Sequence, residues 1–148
     1  MANTLTYNQL LTVFNNIGND HLQIKRVGNG MIEDVNTFSP KDVNFPIMWV
    51  TPQSAQLGRN SLLYTFRVLV FDIDDEDDDH RNEILSDTLS ILNDIIVQLN
   101  NDDDDYYVSN TPTAIPFTQR FVDYCSGWYA DVEIEVAIMN ARCQVPTI

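Results

Sequence analysis

The sequence predicts an α+β domain with a mainly antiparallel sheet and two helices packed on one face of it. Three observations lead to this prediction. Two segments repeat apolar residues at helical spacing, several short segments are rich in β-branched and aromatic residues, and one late segment alternates between apolar and polar residues. The order is a helix, a group of strands, a second helix and a second group of strands, which is typical of this class. The length of 148 residues fits one domain, and we expect residues 1–148 to form it.

Both helices are predicted from apolar stripes. The first is expected over about residues 7–17, where Thr6 and Gln9 have the spacing of a capping box and Gly18 is a candidate stop signal. The second is expected over about residues 81–99, with Asp79 as its candidate N-cap. Its apolar stripe contains Ile84, Leu85, Thr88, Ile91, Leu92, Ile95, Ile96 and Leu99.

The first group of strands lies between the two helices. Residues 21–27 and 31–36 flank the sequence Gly-Asn-Gly, which predicts a hairpin because Gly and Asn tolerate positive φ. A third strand is expected over residues 45–51, with Pro46 at its entry. The polar residues 52–61 are expected to form a loop. Residues 62–72 are the strongest strand, and their second half is apolar on both faces, as in a strand buried on both sides.

The second group of strands follows the second helix. Residues 106–109 are expected to form a short strand, residues 110–116 a connection interrupted by proline, and residues 117–124 a further strand. Residues 128–139 alternate clearly. One face carries Trp128, Ala130, Val132, Ile134, Val136 and Ile138, and the other carries Tyr129, Asp131, Glu133, Glu135, Ala137 and Met139.

The charge of the chain restricts its partners. Its formal net charge is −14, and its only lysines are Lys25 and Lys41. Nucleic-acid binders need clustered cations, so the sequence disfavours gripping DNA or an anionic membrane. No apolar run approaches the ~18 residues of a membrane span, and the N-terminus lacks the pattern of a secretory signal. We therefore expect a soluble protein that stays in the compartment where it is made.

No motif of catalysis or cofactor binding is present in the sequence. It lacks G-x-S-x-G, a glycine-rich phosphate loop and H-E-x-x-H, so we predict no catalytic residue and no cofactor. His21 and His80 are interpreted as surface residues near helix ends. Cys125 and Cys143 lack the spacing of a zinc site and are interpreted as reduced thiols, although a disulfide between them remains open.

The acidic run "DIDDEDDDH" (residues 72–80) raises the question of a calcium site. Asp72, Asp74, Glu76 and Glu83 match positions 1, 3, 5 and 12 of an EF-hand loop. Against this, Asp77 stands where the loop needs glycine, and a strand rather than a helix enters the run. We therefore predict no metal site, and keep an acidic, cation-regulated protein-binding module as the alternative function.

A second acidic pattern lies on the last strand. Asp131, Glu133 and Glu135 share one face at ~6.5–7 Å spacing, a separation at which carboxylate pairs act in acid–base enzymes. Alternation on a half-exposed strand produces the same pattern without chemistry. We favour that interpretation, with Arg67 or Arg120 as neutralising partners on neighbouring strands.

Four blocks of the sequence resemble a known family. "FPIMWVTP", "YTFRVLVFDIDDEDDD", "NEILSDTLSILNDIIVQL" and "GWYADVEIEV" occur in an order similar to that of small neck and tail proteins of tailed bacteriophages. The resemblance is closest to tail terminator (tail completion) proteins, including ring proteins of crAss-like phages, and it covers roughly residues 45–136. It implies a tail-terminator-like fold.

The resemblance also implies a function. Such proteins are virion proteins assembled in the host cytoplasm as rings, often hexamers and here a hexamer or dodecamer, without enzymatic activity. They join the tail to the portal or connector and let DNA pass without specific binding. The resemblance implies that loops contact neighbouring subunits. The candidate interface residues in these loops are Gln53, Gln56, Arg59 and Asn29. The candidate acidic surface, facing the channel, a partner or solvent, comprises Asp75, Asp77, Asp78, Asp103 and Asp104.

Overall fold

The part of the chain that the structure describes forms two helices on one side of an open, mostly antiparallel six-stranded sheet, so the predicted fold class is confirmed. The computed structural model describes residues 5–31, 45–74, 78–100, 106–120 and 124–137. In chain order the elements are α1 (Tyr7–Asp20), β1 (Arg26–Asn29), β2 (Ile47–Leu57), β3 (Ser61–Ile73), α2 (Asp78–Asn100), β4 (Tyr107–Val108), β5 (Ala114–Arg120) and β6 (Tyr124–Ala137).

The two longest strands, β3 and β6, form the centre of the sheet. The strand order is β1-β2-β3-β6-β4, and β5 also pairs with β6. The β1–β2 pair is parallel, and every other pair in the described chain is antiparallel. We call the side of the sheet that carries the helices the helix face, and the other side the open face.

Helix α1 begins where the capping box predicts. The Thr6 backbone N–H donates to Gln9 Oε1 at 2.8 Å, and the Gln9 N–H donates to Thr6 Oγ1 at 3.2 Å. The helix ends at Asp20, so Gly18 does not stop it. A Cβ at Gly18 would lie 2.6 Å from Val27 Cγ2, so this glycine instead lets α1 approach β1 closely.

Helix α2 begins earlier than the sequence predicts. It starts at Asp78, so Asp79 lies in its first turn and not at its N-cap. The predicted apolar stripe is confirmed, with Ile84, Ile91 and Leu99 among its buried residues. Thr88 is also buried, and its hydroxyl donates to the Ile84 carbonyl at 2.7 Å. No helix in the described part of the chain is both long and apolar enough to cross a membrane.

The predicted turn at Gly28-Asn29-Gly30 is wrong, because Gly28 and Asn29 belong to strand β1. Gly28 pairs with Trp49 across the sheet, and a Cβ at Gly28 would lie 2.4 Å from the Trp49 ring. The indole N–H donates to the Gly30 carbonyl at 3.2 Å, and Gly30 has a φ of 123°. The glycines therefore make room for a tryptophan and do not form a tight hairpin. The predicted partner strand lies outside the described residues from position 32 onward.

The predicted loop at residues 52–61 is also wrong. Strand β2 continues to Leu57 and β3 starts at Ser61, so these residues form a hairpin whose Gly58 N–H donates to the Ser61 carbonyl at 3.0 Å. We call residues 53–62 the arm. A register shift between Pro52 and Ser54 marks a β-bulge at the base of the arm. A strand exposed on its surface needs few apolar residues, which explains why the polar segment resembles a loop.

The late strands largely follow the prediction. Strand β4 confirms the short strand within residues 106–109, and the alternation of β6 is confirmed, with Val132, Ile134 and Val136 buried on the helix face. The predicted connection over residues 110–116 is too long, because β5 begins at Ala114. Pro116 is tolerated there because, within the described chain, β5 pairs only with β6.

Apolar residues are buried on both faces of the sheet. The larger cluster packs α1 and α2 against the helix face. The smaller cluster lies on the open face and comprises Ile47, Trp49, Leu69, Phe71 and Cys125. Val68, Leu69, Val70 and Phe71 are all buried, which confirms that the second half of the strongest predicted strand is covered on both sides.

Candidate functional site

The acidic segment after β3 is anchored by Asp74. This carboxylate is fully buried and its Oδ2 accepts hydrogen bonds from Arg81 Nε at 2.6 Å and from Ser126 Oγ at 2.5 Å. The Ser126 hydroxyl also lies 3.2 Å from Thr118 Oγ1. Asp74 therefore connects the end of β3, the first turns of α2, and β6.

The four proposed calcium ligands occupy different environments. Asp72 is half-buried, burial raises the pKa of its carboxyl, and its Oδ1 accepts from the Ile73 N–H at 2.7 Å. Glu83 is exposed on α2, whereas Asp74 accepts bonds from Arg81 and Ser126, and Glu76 lies outside the described residues. Within the described ranges, no three His, Cys, Asp or Glu side chains are grouped so as to hold a metal ion. The cation-regulated function stays a prediction.

The structure describes little of the predicted acidic surface. Asp78 is the first residue of α2, and nothing further is described of its side chain. Asp75, Asp77, Asp103 and Asp104 lie outside the described residues. The direction in which this surface faces stays a prediction.

The carboxylates of β6 lie on the open face, beside a cation. Arg67 binds Asp131 through two contacts, Nε to Oδ1 at 2.9 Å and Nη2 to Oδ2 at 3.2 Å, which confirms Arg67 as the predicted partner. The guanidinium lies 4.4 Å from the centroid of the Tyr129 ring. The hydrogen bond to Asp131 is the main cause of a raised Arg67 pKa. Asp131, one of the three carboxylates in this pattern, is therefore bound by Arg67. The side chain of Arg120 is not described.

The two other carboxylates of this strand differ in their surroundings. Glu133 Oε2 accepts from the Ser109 hydroxyl at 3.3 Å, while Glu135 is exposed and pairs in register with Tyr107 of β4. The open face therefore changes along β6, from an aromatic end near Phe117 to a charged end beside the arm. Its charged end is suited to contact polar or basic surfaces.

The two histidines have different environments. His80 is exposed, as predicted. His21 is only partly exposed, with 15% of its side chain accessible, and both ring nitrogens have partners. Nε2 lies 2.9 Å from Asp94 Oδ2, and Nδ1 accepts the Gln23 N–H at 3.1 Å. With Nδ1 as the acceptor of the Gln23 N–H, Nε2 is the nitrogen that faces Asp94.

A cleft separates α1 from α2 beside this histidine. Its volume is about 1070 Å³. Its lining comprises Val13, Asn16, Ile17, Asp20, His21, Leu22, Gln23, Asp94, Val97, Gln98 and Tyr106. Sequence reasoning missed this cleft, because its walls come from two helices and two connections far apart in the chain.

The candidate interface residues lie on or near one edge of the sheet. Gln53 is at the bulge, Gln56 is exposed on β2, and Arg59 is exposed in the turn of the arm. Asn29 is the last residue of β1 and pairs with Val50, which lies three positions before Gln53 in β2. The side-chain amide of Asn29 donates to Asn15 Oδ1 at 3.4 Å. The arm therefore gathers three of the four residues, with Asn29 on the adjoining strand.

The structure describes one of the two cysteines. Cys125 is buried in the open-face cluster of β6, and Cys143 lies outside the described residues. The predicted reduced state of both thiols stays a prediction.

The comparisons with known proteins identify no family for this chain. No protein-family model matches the chain, and a search of curated proteins found no match either.

Proposed function

We propose that the protein is a structural, non-enzymatic subunit of a ring in the neck or tail of a tailed bacteriophage. In this role, as a tail terminator or head–tail joining protein, it connects the tail to the portal or connector and lets DNA pass. The observation that carries the proposal is the arm, a hairpin that continues past the buried part of the sheet and presents an exposed strand edge.

The burial of β2 changes abruptly along its length. Residues 47–51 are buried, whereas residues 53–57 are exposed, and Leu57 near the tip of the arm is 80% exposed. An isolated domain gains little from a long exposed hairpin that ends in an apolar side chain. A neighbouring subunit that covers Leu57 would gain from its burial.

The arm also offers backbone hydrogen bonds. Strand β1 pairs with β2 only at residues 47–50, so in the described chain no strand covers the outer side of β2 along the arm. Exposed edges of this kind accept a strand from another chain. In a ring, the same contact repeated head-to-tail from one copy to the next closes the assembly.

The charge of the chain supports the proposed passage of DNA. A subunit of net charge −14 repels the phosphate backbone, so a channel built from such subunits does not hold DNA in place. The same charge opposes self-association, and we expect salt or basic neighbouring proteins to favour the ring.

The proposal is tested by measuring assembly with matched variants. Native mass spectrometry and negative-stain microscopy of the purified protein, alone and with candidate neighbours, namely tail-tube and connector proteins, should show a hexamer or dodecamer. Leu57→Asp should reduce the ring to monomers, since it places a charge at the tip of the arm. Leu22→Asp is the control, because Leu22 is 92% exposed but lies outside the arm.

Two results would contradict the proposal. One is a wild-type protein that stays monomeric and binds none of these neighbours. The other is a Leu57→Asp variant that assembles as well as the wild type while Leu22→Asp does not.

A gel-shift assay should show no stable complex with linear duplex DNA at physiological salt.

A further inference from the structure

We infer that the cleft between α1 and α2 is a docking site for a short amphipathic helix with basic side chains, supplied by another protein. The cleft lies on the helix side of the molecule, and no residue of the arm lines it. The inference does not depend on the proposed ring and adds a second interaction surface.

The shape of the cleft fits a helix. On α1 its lining residues are Val13, Asn16, Ile17 and Asp20, spaced three and four positions apart. On α2 they are Asp94, Val97 and Gln98, with the same spacing. Two facing helical stripes form the walls of a groove, and the α1 stripe is about 10 Å long, or two turns. At about 1070 Å³ the cleft is at or above the upper end of small-molecule pockets, roughly 300–1,000 Å³.

The groove exposes apolar side chains that an occupant would cover. Leu22 is 92% exposed and Val97 is 47% exposed, and both line the cleft with the half-buried Ile17. Helix-in-groove recognition uses apolar anchors at positions i, i+3 or i+4, and i+7 of the bound helix. Anchors at this spacing can contact both walls along the length of the groove.

The charge of the groove selects a basic occupant. Its lining includes Asp20 and Asp94 and, among the residues the structure describes there, no lysine or arginine. His21 lies against Asp94 through Nε2 while Nδ1 accepts the Gln23 N–H, so both ring nitrogens are already engaged. Asp94 remains 56% exposed. Both carboxylates therefore attract lysine or arginine at the edge of a docked helix.

The probe for this test is a fluorescein-labelled leucine–lysine peptide of about 15 residues with leucines at helical spacing. The matched peptide has glutamate in place of every lysine. Fluorescence anisotropy at about 0.15 M salt should show saturable binding of the lysine peptide and much weaker binding of the glutamate peptide. Equal affinity for both peptides, or no binding of the lysine peptide at millimolar protein, overturns the inference.

Two pairs of variants separate the cleft from general attraction to an acidic protein. Leu22→Ser should weaken binding about tenfold, since it removes an apolar contact, while Leu57→Ser removes another highly exposed leucine, on the arm, and should leave affinity within about twofold. Asp20→Asn should weaken binding by about threefold or more, while Asp87→Asn, on α2 outside the cleft, removes the same charge with little effect. Equal effects within each pair overturn the inference.

A second measurement needs no variant. In the wild-type protein labelled with ¹⁵N, addition of the lysine peptide should shift the amide signals of Val97, Tyr106 and Leu22 first. Shifts concentrated on the arm or on the charged end of β6 overturn the inference. Because ring assembly is measured separately with Leu57→Asp, failure of the cleft leaves the proposed function untouched, and the reverse also holds.

Discussion

Replacing Asp74 with alanine should strongly destabilise the protein, although five other acidic residues stand between positions 72 and 78. Asp74 has a fully buried carboxylate that accepts hydrogen bonds from both Arg81 and Ser126. The alanine variant removes that acceptor from between β3, α2 and β6. It leaves the Arg81 guanidinium and the buried Ser126 hydroxyl without this partner.

The size of the effect follows from the exposure of the partners. Breaking a buried ion pair costs about 3–5 kcal/mol. Arg81 keeps 27% of its side chain exposed, so water partly replaces the carboxylate, and the Ser126 hydroxyl keeps Thr118 within hydrogen-bond distance. We therefore expect Asp74→Ala to lower the free energy of unfolding by about 2–4 kcal/mol. For a domain of this size that corresponds to a fall in Tm of about 5–15 °C.

Urea unfolding at neutral pH, followed by tryptophan fluorescence, measures this loss. Trp128 is a suitable probe because its indole N–H donates to the Leu85 carbonyl of α2 at 2.8 Å. Asp74→Asn should cost less than Asp74→Ala, because the amide oxygen still accepts one hydrogen bond. Glu83→Ala removes an exposed acid of α2 two residues from Arg81, and as the control it should change stability by no more than about 0.5 kcal/mol.

A double-mutant cycle with Arg81→Met tests the cause. If the ion pair carries the effect, the double variant should be more stable than the sum of the two single losses predicts, by at least about 1 kcal/mol. A loss below about 1 kcal/mol for Asp74→Ala, or additive effects in the cycle, would refute the reasoning. Millimolar calcium that stabilises the wild type but not Asp74→Asn would instead favour the cation-regulated function.

Three further changes test other parts of the structure by urea or thermal unfolding. Gly127→Ala should cost more than about 2 kcal/mol, because its Cβ would lie 2.0 Å from the Val70 carbonyl oxygen and β3 would have to shift; an unchanged urea midpoint would contradict this. Asp72→Asn should stabilise by up to about 1 kcal/mol at neutral pH. Burial raises the Asp72 pKa, so folding favours the protonated carboxyl. The gain should therefore disappear as the pH falls below the ordinary value of 3.8, and a gain independent of pH would count against burial as its cause. Arg67→Met should cost only about 0–1 kcal/mol, because both members of the Arg67–Asp131 pair are half-exposed; a larger loss would show that the pair is more than a surface contact.

The sequence predicted those elements whose residues repeat with a regular period. The stripe of α2, the capping box of α1 and the alternation of β6 are local signals, and each reports which side of an element meets the core. The fold class follows from the order of these elements, and the structure confirms it. Periodicity does not mark the ends of an element, so both helices extend about three residues beyond their predicted bounds.

The glycines were misinterpreted because their role depends on distant residues. Gly28 gives space to the Trp49 ring, and Gly18 gives space to Val27, neither of which is a near neighbour in sequence. A local interpretation assigns such glycines to a turn or to a helix end, since both uses are common. The contact that decides between these uses exists only after β1 has paired with β2.

The cleft is harder still to infer from sequence. His21 and Asp94 are 73 positions apart, and no short motif connects them. The exposed Leu22 offers no signal, because single surface leucines are common in soluble proteins. The sequence of the arm carries a partial signal, because its polar composition is typical of an exposed segment. Its strand structure depends on pairing with β3, which is long enough to support it.

In the acidic run, the burial of a residue does not follow from its charge. Composition alone gives the seven acids of residues 72–80 equal standing, and an EF-hand template selects among them by spacing. Continuing the alternation of β3 from Val68 and Val70 places Asp72 and Asp74 on the helix face, where α2 begins. A carboxylate on that face at the edge of the core needs a donor, and Arg81 in the first turns of α2 supplies one. Strand period and the nearest cation therefore single out Asp74 as a structural residue, because its acceptor oxygen binds Arg81 and Ser126.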